Sequence, residues 1–183
     1  MPTAFTMPPL AEHLPAGSFE IESSADGMPT ITVPADHLVA VSRALHDTPA
    51  LAFSVCVDIT AADHFPREPR FDIVYHLVAP ENRLRLRMRV HAGGAQPTVP
   101  TVSGIWAAAN WGEREVIDMF GVMFAGHPDP ARILMPDDWE GHPLRRDYPV
   151  QVNLPVRTYE PLQLTEEEFA ENLQADRELR QRR

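Results

Sequence analysis

The amino-acid sequence predicts an α+β fold: a small, mostly antiparallel sheet packed with helices, followed by an extended Pro-rich C-terminal arm and a terminal helix. Three observations predict it. Arg70 to Val78 and Arg83 to Val90 alternate apolar and polar residues on either side of Ala79-Pro80-Glu81-Asn82, the pattern of an antiparallel hairpin with a four-residue loop. Leu38, Val41 and Leu45, and again Ile105, Ala109, Gly112, Val116 and Phe120, recur at the spacing of one helix face, and Pro or Gly bounds each run. Beyond Phe124 the seven prolines from Pro128 to Pro161 prevent any long regular element, although apolar residues continue.

With 183 residues the chain is long enough for one hydrophobic core and an extension, and too short for a second full domain. The expected organisation is an N-terminal extension over 1–29, an α+β core over 30–125, a partner-binding arm over 126–164 and a helix over 165–183. Thr30 to Val33 reads as a short strand, after which Pro34 opens an amphipathic helix that Pro49 stops. Leu51, Phe53, Val55, Val57 and Ile59 then alternate with Ala52, Ser54, Cys56 and Asp58, the period of a half-buried strand. A loop holding Pro66 and Pro69 follows.

In the hairpin, Val78 and Arg83 are the expected closing pair. That register sets Leu77 against Leu84, Tyr75 against Leu86, Ile73 against Met88 and Phe71 against Val90, so one face is wholly apolar. The other face carries Arg83, Arg85, Arg87 and Arg89, with Asp72 opposite Arg89. This ladder reads first as a solvated sheet face and second as a docking face for an acidic partner or phosphate. Ser103 is the expected N-cap of a helix running from Ile105 to Phe120, with Gly121 as its C-terminal cap. Gly112 within that helix costs up to ~1 kcal/mol relative to Ala, which points to close packing there.

The arm keeps Ile133, Leu134, Met135, Trp139, Leu144, Tyr148, Val150, Val152, Leu154 and Val156 between its prolines. A disordered linker is poor in such residues, whereas an arm lying on other proteins needs them. Thr165-Glu166-Glu167-Glu168 has the form of a capping box, and the arginines at 177, 180, 182 and 183 follow the dipole of the helix it starts.

Composition narrows the function classes. A formal charge of −10 disfavours nonspecific nucleic-acid binding, and all 16 basic residues are Arg. No window is long and apolar enough to span a membrane, and the N-terminus lacks a basic start followed by an apolar run, so a cytoplasmic protein is expected. The single Cys56 excludes an intrachain disulfide and a four-thiolate cluster held by this chain alone, and its alternating setting favours a buried, inert thiol. No G-x-G-x-x-G, P-loop or H-E-x-x-H motif occurs.

The densest chemistry lies between Trp111 and Tyr148. Glu113, Glu115 and Asp118 resemble paired carboxylates for acid/base work, but Arg114 stands four residues before Asp118, and structural ion pairing is the preferred reading. His127, Asp129, Asp137, Asp138 and His142 are possible metal ligands at no standard spacing, within Gly- and Pro-fixed turns where Asp caps backbone amides.

From Ala109 to Pro149 the chain resembles the NuoC family, the C subunit of the proton-pumping NADH-quinone oxidoreductase, respiratory complex I. The matching residues are Ala109-Asn110-Trp111, Glu113-Arg114-Glu115, Asp118-Met119-Phe120-Gly121, Phe124, Gly126-His127-Pro128-Asp129, Arg132-Ile133-Leu134 and Pro136. The match continues through Asp138, Glu140-Gly141-His142-Pro143-Leu144-Arg145 and Asp147-Tyr148-Pro149. Ala131 departs from the basic residue usual in the family, and Arg146 stands where Lys is common.

The resemblance implies a structural component of the peripheral arm, on the cytoplasmic side of a bacterial membrane and bound to that membrane only through the complex. It implies contact chiefly with the B, D and I subunits. FMN, iron-sulfur clusters and quinone are then expected in partner subunits and none in this chain, while the assembly couples electron flow from NADH to proton translocation. The residues expected at partner interfaces are Glu113, Arg114, Glu115, Asp118, His127, Asp129, Arg132, Trp139, His142, Arg145, Arg146, Asp147 and Tyr148. No residue is assigned to catalysis, cofactor or metal. The alternatives are a homologous subunit of a related membrane-bound hydrogenase or dehydrogenase, a stand-alone metal enzyme using His127, Asp129 and His142, and an RNA or anion binder using the Arg ladder.

Overall fold

A computed structural model describes residues 9–149 and 165–181. The main sheet has five strands: β1 (Glu20–Glu22), β2 (Thr30–Thr32), β3 (Val55–Asp63), β4 (Phe71–Ala79) and β5 (Leu84–Ala92), in the spatial order β1-β2-β5-β4-β3. Within this sheet only the β2–β5 pair is parallel, so the fold is α+β with a mostly antiparallel sheet, as expected. A second sheet pairs β6 (Thr98–Pro100) in parallel with β7 (Met123–Ala125). The helices are α1 (Leu38–Asp47), α2 (Ala109–Phe120) and α3 (Glu166–Gln181). Among the described residues no helix is long and apolar enough to cross a membrane. The described residues fall into two units, one ending at Tyr148 and the other beginning at Pro149.

The core forms where the period-two and period-3.6 patterns meet. Phe71, Ile73, Tyr75, Leu77, Leu86, Met88 and Val90 line one sheet face and join Leu38, Val41 and Leu45 of α1 and Val116 and Ile117 of α2 in one buried cluster. Each such side chain contributes about 1.5–3 kcal/mol on burial. Residues 9–29 are part of this unit: Leu10 and Leu14 are buried in the same cluster, and β1 pairs with β2.

The hairpin register differs from the expected one by two residues. Ala79 closes the loop against Leu84, and Leu77 faces Leu86, Tyr75 faces Met88, Ile73 faces Val90 and Phe71 faces Ala92. A two-residue shift keeps every side chain on its face, so alternation cannot detect it. The loop decides it: Arg83 adopts a left-handed φ of 54° and leaves the ladder, and the Asn82 side chain donates to the Pro49, Ala50 and Leu51 carbonyls. Asp72 therefore faces His91 and reaches Arg89 diagonally at 2.7 Å. The arginine face is also occupied by the chain's own acids, with Arg87 on Asp26 at 2.6 Å and Arg89 on Glu22 at 2.7 Å.

Two other elements depart from the sequence pattern. The expected alternation from Leu51 to Ile59 is broken by a bulge: Cys56 faces Leu77 and Asp58 faces His76, so Val57 is the extra residue and is 63% exposed. Leu51 and Phe53 are buried ahead of the strand, and Cys56 is buried as expected. Helix α2 starts at Ala109, because the segment from Val102 to Ala108 makes turns instead; Ala108 is its N-cap and Ser103 is not. Its C-terminal cap is Gly121 at φ 68°, as expected. Gly112 lies against β3, where an added Cβ would sit 3.0 Å from the Ile59 Cβ.

In the second unit the capping box is formed: Glu168 N–H donates to the Thr165 hydroxyl at 3.2 Å, and Thr165 N–H to the Glu168 carboxylate at 3.1 Å. Val150, Val152, Leu154 and Val156 of the expected arm lie outside the described residues, as do Arg182 and Arg183.

Candidate functional site

The polar residues of the 111–148 segment converge on the C-terminal half of α2. The Asp118 side chain is fully buried, and its Oδ2 accepts the consecutive backbone N–H groups of Ile133, Leu134 and Met135 at 3.2, 2.9 and 2.9 Å. Its Oδ1 accepts the Arg132 guanidinium at 2.5 Å. Burial alone would raise the Asp118 pKa, but these donors outweigh it and hold the carboxyl below its ordinary value. Arg114, the partner expected from helix spacing, does not pair with Asp118. It donates to the Ala131 and Arg132 carbonyls at 2.9 and 3.2 Å and stacks on the Trp111 ring at 5.3 Å.

The last carbonyls of α2 have no helical partners and take them from the 141–148 stretch. Leu144 N–H donates to the Met119 carbonyl at 3.1 Å, Arg145 Nε to the Phe120 carbonyl at 2.5 Å and Arg145 Nη2 to the Gly121 carbonyl at 3.3 Å. His142 Nδ1 lies 2.9 Å from the Asp118 carbonyl oxygen, and Arg132 ties across to the Gly141 carbonyl at 3.1 Å. Farther along, Arg146 N–H donates to Asp63, while Asp147 shares Arg70 with Asp63. Trp139 stacks on Tyr148 with ring centres 6.5 Å apart. Residues 131–148 are thus a clasp closed on α2 and β3 of their own domain.

Glu113 anchors the other end. Its side chain is fully buried, one oxygen accepting Val102 N–H at 2.7 Å and the other the Thr101 hydroxyl, with His127 Nε2 at 3.7 Å. Desolvation raises its pKa to about 7 despite those two hydrogen bonds. His127 also contacts the Asn110 carbonyl at 3.2 Å, and its Nδ1 accepts Asp129 N–H at 3.1 Å. Glu115 is exposed and stands apart from both buried carboxylates. Among the described residues no group of three His, Cys, Asp or Glu is placed to hold a metal.

Of the residues expected at partner interfaces, Glu113, Asp118, Arg132, His142 and Arg145 thus serve contacts within the chain. Sequence reasoning missed Thr101, Asp63 and Arg70, which complete these networks. Thr101 is twelve residues from Glu113 and Arg70 is 77 from Asp147, separations that no local periodicity reports.

Comparisons with known proteins match these elements. Residues 31–153 match the family described as respiratory-chain NADH dehydrogenase, 30 Kd subunit. The C subunit of the NADH-quinone oxidoreductase of Geobacter metallireducens is 48% identical over 126 residues, covering 68% of this chain and 76% of that one. Its counterpart in Azorhizobium caulinodans is 37% identical over 173 residues, 88% of this chain and 82% of that one. Among solved structures, the trypsin-resistant fragment of Nqo5 superposes with a TM-score of 0.55 at 33% identity, over 62% of this chain and 91% of that one. A chain of the membrane-bound sulfane sulfur reductase, an archaeal respiratory membrane complex, gives a TM-score of 0.62 at 29% identity, over 74% of this chain and 79% of that one.

Proposed function

The chain belongs to the family of the 30 Kd subunit of respiratory-chain NADH dehydrogenase, and from that premise we propose that it is a non-catalytic peripheral-arm subunit of NADH-quinone oxidoreductase, its role being to hold neighbouring subunits together. One observation carries this reading: the carboxylates and imidazoles that resemble a catalytic set are engaged by the chain's own backbone around α2. A group acting as general acid or base must reach a substrate proton, and the Asp118 and Glu113 carboxylates are fully enclosed. Flavin, iron-sulfur clusters and quinone then belong to partner subunits, with the B, D and I subunits as the chief neighbours, on the cytoplasmic face of the membrane.

A tagged chain purified from membranes in mild detergent tests this. Cluster-bearing subunits and NADH-quinone activity co-purify if the reading holds; a free monomer contradicts it. The similarity to the sulfane sulfur reductase chain supports a second reading, a subunit of a related respiratory membrane complex. Recovery of an assembly that reduces quinone with another donor and not with NADH favours that one.

A further inference from the structure

We propose that Trp111 is the ridge on which an extended segment of another subunit docks, with a basic side chain of that segment against Glu115 and Asp58 and an acidic one against Arg43. The inference deepens the reading of the chain as an assembly subunit and rests on it. Trp111 is 63% exposed although it is one of the largest apolar side chains in the domain. Its orientation is nevertheless fixed, because the Arg114 guanidinium stacked on its ring is itself tied to the Ala131 and Arg132 carbonyls and lies 3.5 Å from Asp129. A pre-ordered exposed Trp loses little conformational freedom on binding, which is the character of an interface anchor.

The ridge separates two clefts. On one side a cleft of about 240 Å³ lies between α2 and the β3 bulge, floored by Cys56, Ile59 and Gly112 and flanked by exposed Val57. On the other side a cleft of about 690 Å³ runs between Arg43 of α1 and the 101–105 loop. An occupant that fills both clefts has to cross the ridge, as an extended polypeptide does and a compact small molecule does not.

Charge fixes what that polypeptide carries. Exposed Glu115 has no ion pair or hydrogen bond among the described residues, and the Asp58 carboxylate beside it has only His76 at 3.7 Å. The first cleft thus has an acidic rim. Exposed Arg43, likewise without a partner among the described residues, supplies the opposite sign across the ridge. A segment with a basic residue beside a small apolar one, followed by an acidic residue, complements both sides.

The test uses the assembled complex. A benzophenone photocrosslinker at position 57 should attach to a single segment of another subunit that contains Lys or Arg, and Trp111→Ala should lower recovery of that subunit at least about tenfold. Glu115→Arg should also lower recovery, and exchanging the partner's basic residue for Glu should restore it. A crosslink to lipid, to a second copy of this chain, to a segment lacking a basic residue, or to nothing, while the chain still co-purifies with the complex, overturns the docking proposal alone. Failure of the unsubstituted chain to co-purify overturns it together with the assembly reading.

Discussion

Arg132 Nη1 lies 2.5 Å from Asp118 Oδ1, across fourteen residues of chain, and this pair joins α2 to the segment that folds back over its end. With the three backbone N–H groups of residues 133–135 on the other oxygen, it gives that segment a fixed path without regular secondary structure. Asp118→Ala leaves those three donors and the guanidinium without their acceptor. We expect a loss of about 3 kcal/mol in urea unfolding. Arg132→Met, which spares the backbone bonds, should lose less; equal losses would mean that the N–H groups contribute little.

Glu113 gives the domain a particular pH dependence. Its folded pKa of about 7 lies above the ordinary 4.5, so the folded state holds a proton that the unfolded state has released between those values. Stability from this group is full below pH 4.5 and falls as pH rises toward 7, by on the order of 2–3 kcal/mol. Asp72 and Asp118 act in the opposite sense, since their depressed pKa values remove stability as pH falls below 3.8. Glu113→Gln should abolish the decline between pH 4.5 and 7 and leave the acid limb in place. An unchanged decline in that variant would assign it to another group.

Much of the fold can be read from the sequence, because alternation and helical spacing report which face of an element is buried. They do not report register or long-range partners. The β4–β5 pairing is displaced by two residues with every face preserved, and only the left-handed turn at Arg83 and the hold of Asn82 fix it. The Val57 bulge is invisible for a related reason: an extra residue in an apolar strand still looks like alternation. Among the site residues, i, i+4 spacing is local and points to Arg114 as the partner of Asp118, whereas the actual partner, Arg132, comes from beyond the turn. Likewise, apolar residues in a Pro-rich segment do not reveal whether they cover their own domain or another. Met135 packs on the core here, while Leu134 and Leu144 are 58% and 53% exposed.

Gly121 links helix geometry to the clasp. Its φ of 68° is unfavourable for other residues, and an added Cβ would overlap the His142 ring and the Arg145 guanidinium. Gly121→Ala should destabilise the domain by about 2 kcal/mol or more and speed proteolysis within 136–148. Unchanged protection of that stretch would show that the clasp holds without this close approach.

Cys56 should behave as a structural thiol. Burial pushes its pKa to about 12, so little thiolate exists at neutral pH. In the folded chain it should resist an aromatic disulfide reagent at mildly alkaline pH and react fully in guanidinium. Rapid native reaction would place it at an open surface.

Under the proposed function, the polar residues around α2 support assembly and perform no step of electron transfer. The decisive quantity is turnover of NADH-quinone reduction per assembled complex, measured in membranes whose only copy of this chain carries Glu113→Gln or Asp118→Ala. Asp118→Ala should give fewer assembled complexes and Glu113→Gln no fewer, with unchanged turnover in each one that forms. Normal assembly with lost turnover would contradict it.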